Sequence, residues 1–159
     1  MKYQIFFLTV LMACSFQSCK KDPIAKTISY DYLIFGTIYG ECGGPDCVTL
    51  YKLENGKLYK NNNRTYPKLT QQYAGVYTEL SYDKFNYVKD LPDYFPEDFL
   101  KQSEQFIGCP DCVDQGGYFV EFGKGDYRKN WMVDMSTANI PKTLHTFIDK
   151  LREKMELLK

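Results

Sequence analysis

The chain has 159 residues, 20 Lys+Arg against 20 Asp+Glu, one His and six Cys, and it is 44% hydrophobic and 16% aromatic. That length suits one domain, and the aromatic content is too high for a disordered chain. The balanced charge lacks the basic excess of a nucleic-acid binder, and a single imidazole removes multi-His metal sites.

Met1-Lys2 supplies a charged start, and residues 5–16 (IFFLTVLMACSF) form an apolar run. Twelve helical residues rise about 18 Å, against a hydrocarbon core of about 30 Å, so the run is too short to span and reads as the h-region of a secretory signal. The Ser18-Cys19-Lys20-Lys21-Asp22 junction resembles the cleavage site of type II signal peptides, the mark of bacterial lipoproteins. The resemblance implies that residues 1–18 are removed and that Cys19 becomes the lipidated first residue, carrying acyl chains such as palmitate. It also implies anchorage in the cell envelope, at the outer membrane. Leu11-Met12-Ala13-Cys14 offers an alternative box, with lipid on Cys14. Cutting before Cys19 leaves the even set Cys42, Cys47, Cys109 and Cys112, whereas cutting before Cys14 leaves Cys19 as a spare thiol. Residues 19–27 contain Pro23 and no apolar periodicity, as a tether does. Residues 28–159 are expected to form a single domain.

Residues 28–39 (ISYDYLIFGTIY) are β-branched and aromatic, the composition of a strand. Residues 47–53 alternate and then meet Asn55-Gly56, the dipeptide that best tolerates a tight hairpin turn, so residues 57–60 should return as a strand. Residues 61–67 are polar and read as a loop. Ser81 can cap a short helix to about Asp90, which Leu91-Pro92 should end, and Pro96-Glu97-Asp98 marks a second helix start. Phe95, Phe99 and Leu100 are its expected anchors. Residues 117–122 and 127–135 flank Gly123-Lys124-Gly125-Asp126 as a second hairpin. In its return strand Tyr127, Lys129, Trp131, Val133 and Met135 should face inward and Arg128, Asn130, Met132 and Asp134 outward. Asn139-Ile140-Pro141 reads as cap and first residue of a final helix. Its apolar stripe is Leu144, Phe147, Ile148, Leu151, Met155 and Leu158, opposite Lys142, Asp149, Lys150, Arg152, Glu153 and Lys154. The expected fold is α+β, a mostly antiparallel sheet from two hairpins packed against this C-terminal amphipathic helix.

The chemistry is concentrated in the cysteines, Cys42 and Cys47 in one Gly/Pro/Asp-rich loop and Cys109 and Cys112 in another. Disulfides are the default in an oxidising envelope, and local closure within each loop needs no long-range geometry. A tetrathiolate zinc site on the same four residues is the alternative, because Cys-Pro-Asp-Cys resembles a zinc knuckle. A redox Cys-x-x-Cys is a further reading, but Cys112 leads into a strand rather than a helix that would stabilise a thiolate. His145 lies beside the helix stripe with no nucleophile motif around it, the Gly pairs lack the Lys-Ser/Thr of a phosphate loop, and Asp111 with Asp114 does not match calcium-loop spacing. No catalytic residue and no cofactor is therefore assigned. The order of a Gly-rich first hairpin, Leu91-Pro92-Asp93-Tyr94-Phe95-Pro96, a second hairpin and a C-terminal helix looks like small exported domains of the emfourin-type metalloprotease inhibitors. That likeness implies a non-enzymatic binding module. The expected protein is thus a monomer held to the membrane by its N-terminal lipid, without nucleic acid, with a protein or a glycan as ligand; fourteen tyrosines supply rings that can stack on either. The alternative function is a metal-binding or thiol-redox envelope protein using the two cysteine pairs.

Overall fold

The computed structural model describes residues 28–159. The expected signal peptide and tether, with Cys14 and Cys19, lie outside them. The described chain is α+β. Seven strands form one sheet: β1 (Tyr32–Ile38), β2 (Val48–Glu54), β3 (Lys57–Asn61), β4 (Tyr77–Glu79), β5 (Phe106–Ile107), β6 (Gly117–Lys124) and β7 (Tyr127–Asp134), in the order β4-β3-β2-β1-β6-β7-β5. All ladders are antiparallel except β5 with β7.

Both hairpins turn where the residue types allow it. Asn55 and Gly56 take φ of 51° and 69°, the two positive angles a tight turn requires. In the second hairpin Lys124 pairs with Tyr127, so the turn is only Gly125-Asp126, shorter than the four residues expected. Gly123 and Lys124 are recruited into the strand because the ladder continues to that point.

Helix α1 (Tyr82–Val88) starts at Ser81, whose hydroxyl accepts from the Lys84 amide at 3.4 Å, the expected cap. After a 3₁₀ turn at Leu91–Tyr94, α2 (Glu97–Lys101) follows Pro96. Helix α3 (His145–Leu158) lies across the sheet and buries the whole predicted stripe from Leu144 to Leu158. It begins later than expected. Asn139 does not cap it, because two 3₁₀ turns at 137–139 and 142–144 come first; its side-chain amide donates to Asp134 Oδ2 at 2.8 Å. Lys154 also departs from the expected polar face. It is buried, and its Nζ lies 2.8 Å from Asp90 Oδ1 beneath the 3₁₀ turn.

The helix-side core joins Leu33, Phe35, Leu53, Val120, Trp131 and Val133 of the sheet to α3. Phe95 and Phe99 anchor it as predicted: Phe95 stacks 5.1 Å from Phe122, and Phe99 sits 5.0 Å from Trp131. The opposite face is not left to solvent. Residues 62–76 cross it as a strap, placing Tyr73 and Leu69 on Ile34, Leu50, Phe119 and Met132. The expected outward set on β7 is therefore corrected: Asn130, Met132 and Asp134 are all buried. The strap is fastened by polar groups. Glu121 accepts from the Tyr73 amide at 3.0 Å and from the Tyr32 hydroxyl at 2.8 Å, while Asn130 donates to the Gln71 carbonyl at 3.0 Å. A carboxylate and an amide in an apolar layer are tolerated only because such partners satisfy them.

Candidate binding site

The two cysteine loops converge on one end of the sheet. Ile38, the last residue of β1, pairs with Val48 on one side and Gly117 on the other, so the loops 39–47 and 108–116 open from the same edge. Each is closed by its own disulfide, Cys42–Cys47 and Cys109–Cys112, both with Cα atoms 5.5 Å apart. This is the local pairing expected from the spacing. A zinc site on these residues would first require reduction of both cystines, since the metal binds thiolates.

The loops are also tied to each other. Asp111, at φ 60°, uses one carboxylate oxygen to accept from the Gly116 amide at 2.9 Å and the other to accept from the Gly40 amide at 2.7 Å. Gly116, at φ 76°, lies so close to the Tyr39 ring that an added Cβ would sit 2.4 Å from it. Asp134 holds the base of the second loop, accepting from the Cys109 amide at 3.0 Å and the Ser136 amide at 2.8 Å. Sequence reasoning missed Asp111 and Asp134 as fasteners. In the sequence Asp111 reads as a turn residue of the Cys109–Cys112 loop or a calcium ligand; the signal for its fastening role is the Pro-Asp-Cys turn, where an Asx side chain readily bonds nearby amides.

Beside these loops α3 leaves one corner of the helix-side face uncovered, and there the sheet forms the floor of a groove of about 590 Å³. Thr37, Thr49, Tyr51 and Tyr118 line the floor, and Met155 and Leu158 the helix wall. A groove of this size is in the range that encloses a small ligand, about 300–1,000 Å³. Tyr51 is only 4% exposed, and the buried side-chain polar atoms without a partner among the described residues lie elsewhere, at Tyr77 Oη and Trp131 Nε1. Burial, and then the charge of Asp46, raise its pKa, so the phenol stays protonated and able to donate. Burial likewise raises that of Tyr118, opposed by the Arg152 guanidinium beside it. At the rim Arg152 pairs with Asp149 at 3.0 Å and Lys159 with Glu156 at 2.7 Å, whereas Lys60 and Asp46 have no ion pair among the described residues.

His145 is half-buried and its Nε2 lies 3.1 Å from the Ile140 carbonyl, a contact that fixes the start of α3 and stands apart from the groove. Asp114, at φ 59°, lies exposed in the second loop. Among the described residues no helix is long and apolar enough to cross a membrane. Comparison of the chain with family models, with curated proteins and with solved structures finds no match.

Proposed function

We propose that the chain is a lipid-anchored protein of the bacterial cell envelope that works by binding, without catalysis, through the groove at the disulfide-closed end of its sheet. The observation that carries this reading is the opposition of two ends. The described chain enters β1 at Tyr32, beside the hairpin turns, where Asp31 accepts from the Gly125 amide at 2.7 Å. The disulfide loops and the groove lie at the other end of the same strand. A tether before residue 28 thus attaches to the end away from the groove, leaving the groove accessible on a membrane-bound protein. Two disulfides suit an oxidising compartment, and Cys42–Cys47 closes the loop whose Tyr39 and Asp46 line the site.

Labelling of the full chain with radioactive palmitate, followed by membrane fractionation, tests the anchor. The label and the protein should both sit in the membrane fraction, and Cys19→Ser should lose the label and appear in the soluble fraction. Unchanged labelling in Cys19→Ser, with loss in Cys14→Ser, would move the lipid to Cys14; no labelling at all would sink the lipoprotein reading. The narrower expectation of metalloprotease inhibition rests on element order, and unchanged proteolysis at micromolar protein would count against it. One observation favours the thiol-redox alternative: Cys109 and Cys112 are both exposed, and exchange requires access.

A further inference from the structure

The two cystines differ in what a thiol from outside can reach. Cys47 is buried and its sulfur accepts from the Gly44 amide at 3.1 Å, whereas Cys109 and Cys112 are both exposed. Exchange proceeds by attack of a thiolate on a disulfide sulfur, so access decides which bond breaks. The exposed ring is also framed without its own sulfurs. Gln115 spans it, its Nε2 donating to the Cys109 carbonyl at 2.8 Å and its Oε1 accepting from the Val113 amide at 2.8 Å. Asp134 accepts from the Cys109 amide, and Asp111, between the two cysteines, is fixed to Gly116 and Gly40. These bonds keep the two sulfurs together once the S–S bond opens, so the ring can close again as an intramolecular step. The Cys42–Cys47 loop lacks such a frame at its tip, where Gly43 and Gly44 have open space around them.

The surroundings of the exposed ring are apolar. Val113, directly after Cys112, is 80% exposed, and Phe106, shortly before Cys109, is 61% exposed. The ring and Phe106 are neighbours: Phe106 stands opposite Met132 in the β5–β7 ladder, and a Cβ added at Gly117 would lie 2.8 Å from Pro110 Cβ and 3.1 Å from Met132 Cε. β5 is the edge of the sheet and pairs only with β7, so among the described residues its outer side is open to an added strand.

We propose that Cys109–Cys112 exchanges with the dithiol of a partner protein, whose extended cysteine-bearing segment lies along β5 against Phe106 and Val113. The cystine at the end of this edge selects a thiol-bearing segment over other extended chains. A partner thiolate attacks one sulfur of the ring; the S–S bond breaks, a mixed disulfide forms, and the other cysteine leaves as a thiolate and takes up a proton. The partner's second thiol gives up its proton, attacks the mixed disulfide and releases the remaining cysteine, which is protonated in turn. Two electrons and two protons have then passed: the partner's dithiol is oxidised to a cystine, and Cys109 and Cys112 are reduced to thiols. This assignment rests on the thiol-redox reading of the pair and is independent of the groove and of the lipid anchor.

The test uses the full-length protein in detergent, incubated with dithiothreitol or with an acetylated Val/Thr-rich peptide carrying one reduced Cys-Gly-Ser-Cys, then quenched with N-ethylmaleimide and mapped by mass spectrometry. Both reductants are expected to expose Cys109 and Cys112 to label about tenfold faster than Cys42 and Cys47, in keeping with access. Phe106→Ser and Val113→Ser, on exposed side chains, should slow the peptide about three- to tenfold and leave dithiothreitol unchanged, a split that a general loosening of the loop would not produce. Equal or faster opening of Cys42–Cys47 would sink the exchange site and the redox reading with it. Preferential opening of Cys109–Cys112, with the peptide indifferent to both substitutions, would overturn the docked partner while keeping the pair as the redox site.

Discussion

Asp134 joins three segments through one side chain. Its carboxylate accepts from the Cys109 amide, the Ser136 amide and the Asn139 side chain, linking the second disulfide loop to the end of β7 and to the turn before α3. Burial pushes its pKa upward, but the three donors outweigh it and hold it below the usual carboxylate range. A carboxylate whose folded pKa is depressed contributes stability above its unfolded pKa, near 3.9, and loses it as the pH falls through the lower folded value. Asp134→Asn should therefore cost about 1–3 kcal/mol at neutral pH, because an amide cannot accept on both sides, and should flatten the acid limb of the stability curve. Urea unfolding followed from pH 7 down to pH 2 checks both; an unaltered acid limb would remove Asp134 from the account. The same residue holds the turn ahead of α3, where the Asn139 side-chain amide donates to it.

At the scale of elements, the aromatic knot between the α1–α2 region and the sheet holds the helix layer in place. Phe99 is fully buried, with Trp131 5.0 Å and Phe147 5.5 Å from its ring centroid. Phe99→Ala leaves a cavity between α2, α3 and the sheet and should cost about 3–5 kcal/mol, read as a lowered denaturation midpoint with an unchanged slope. A loss below 1 kcal/mol would mean that the region repacks. The elements legible in the sequence were those with long or chemically marked patterns: the α3 stripe, the Asn55-Gly56 turn and the Ser81 cap. β4 and β5 escaped notice because strands of three and two residues are too short to show a period of two. The strap at residues 62–76 escaped for another reason. Its hold depends on single residues, Leu69 and Tyr73, in a polar stretch, and on Glu121 and Asn130 far along the chain. Without the strap, the alternation in β7 reads as one wet face. Of the candidate site, the cysteine pairing was visible in the spacing, while the groove depends on where α3 stops covering the sheet, which no local pattern encodes.

For the whole molecule, the two disulfides staple loops that the ladders already position. On a chain-entropy basis each such short ring is worth about 2 kcal/mol. Replacing Cys42 and Cys47 together by Ala should lower stability by about that amount, and the same holds independently for Cys109 and Cys112, as calorimetry of each double variant would show. A much larger loss from either pair would mean that the loop helps define the fold. The strand order has a consequence for how the molecule comes together. β1, nearest the N-terminus, lies at the centre of the sheet, and its ladder to β6 pairs Tyr32 with Gly123 and Ile38 with Gly117. β1 through β4 can zip up from neighbour to neighbour as a half-sheet, and β6 with β7 form their own hairpin. The halves then meet along this one long-range seam, whose loop-closure entropy comes due before its contacts form. Until then, one full edge of β1 is an open template for another chain, so the interval before the seam closes is the period in which this protein is most prone to misassociate.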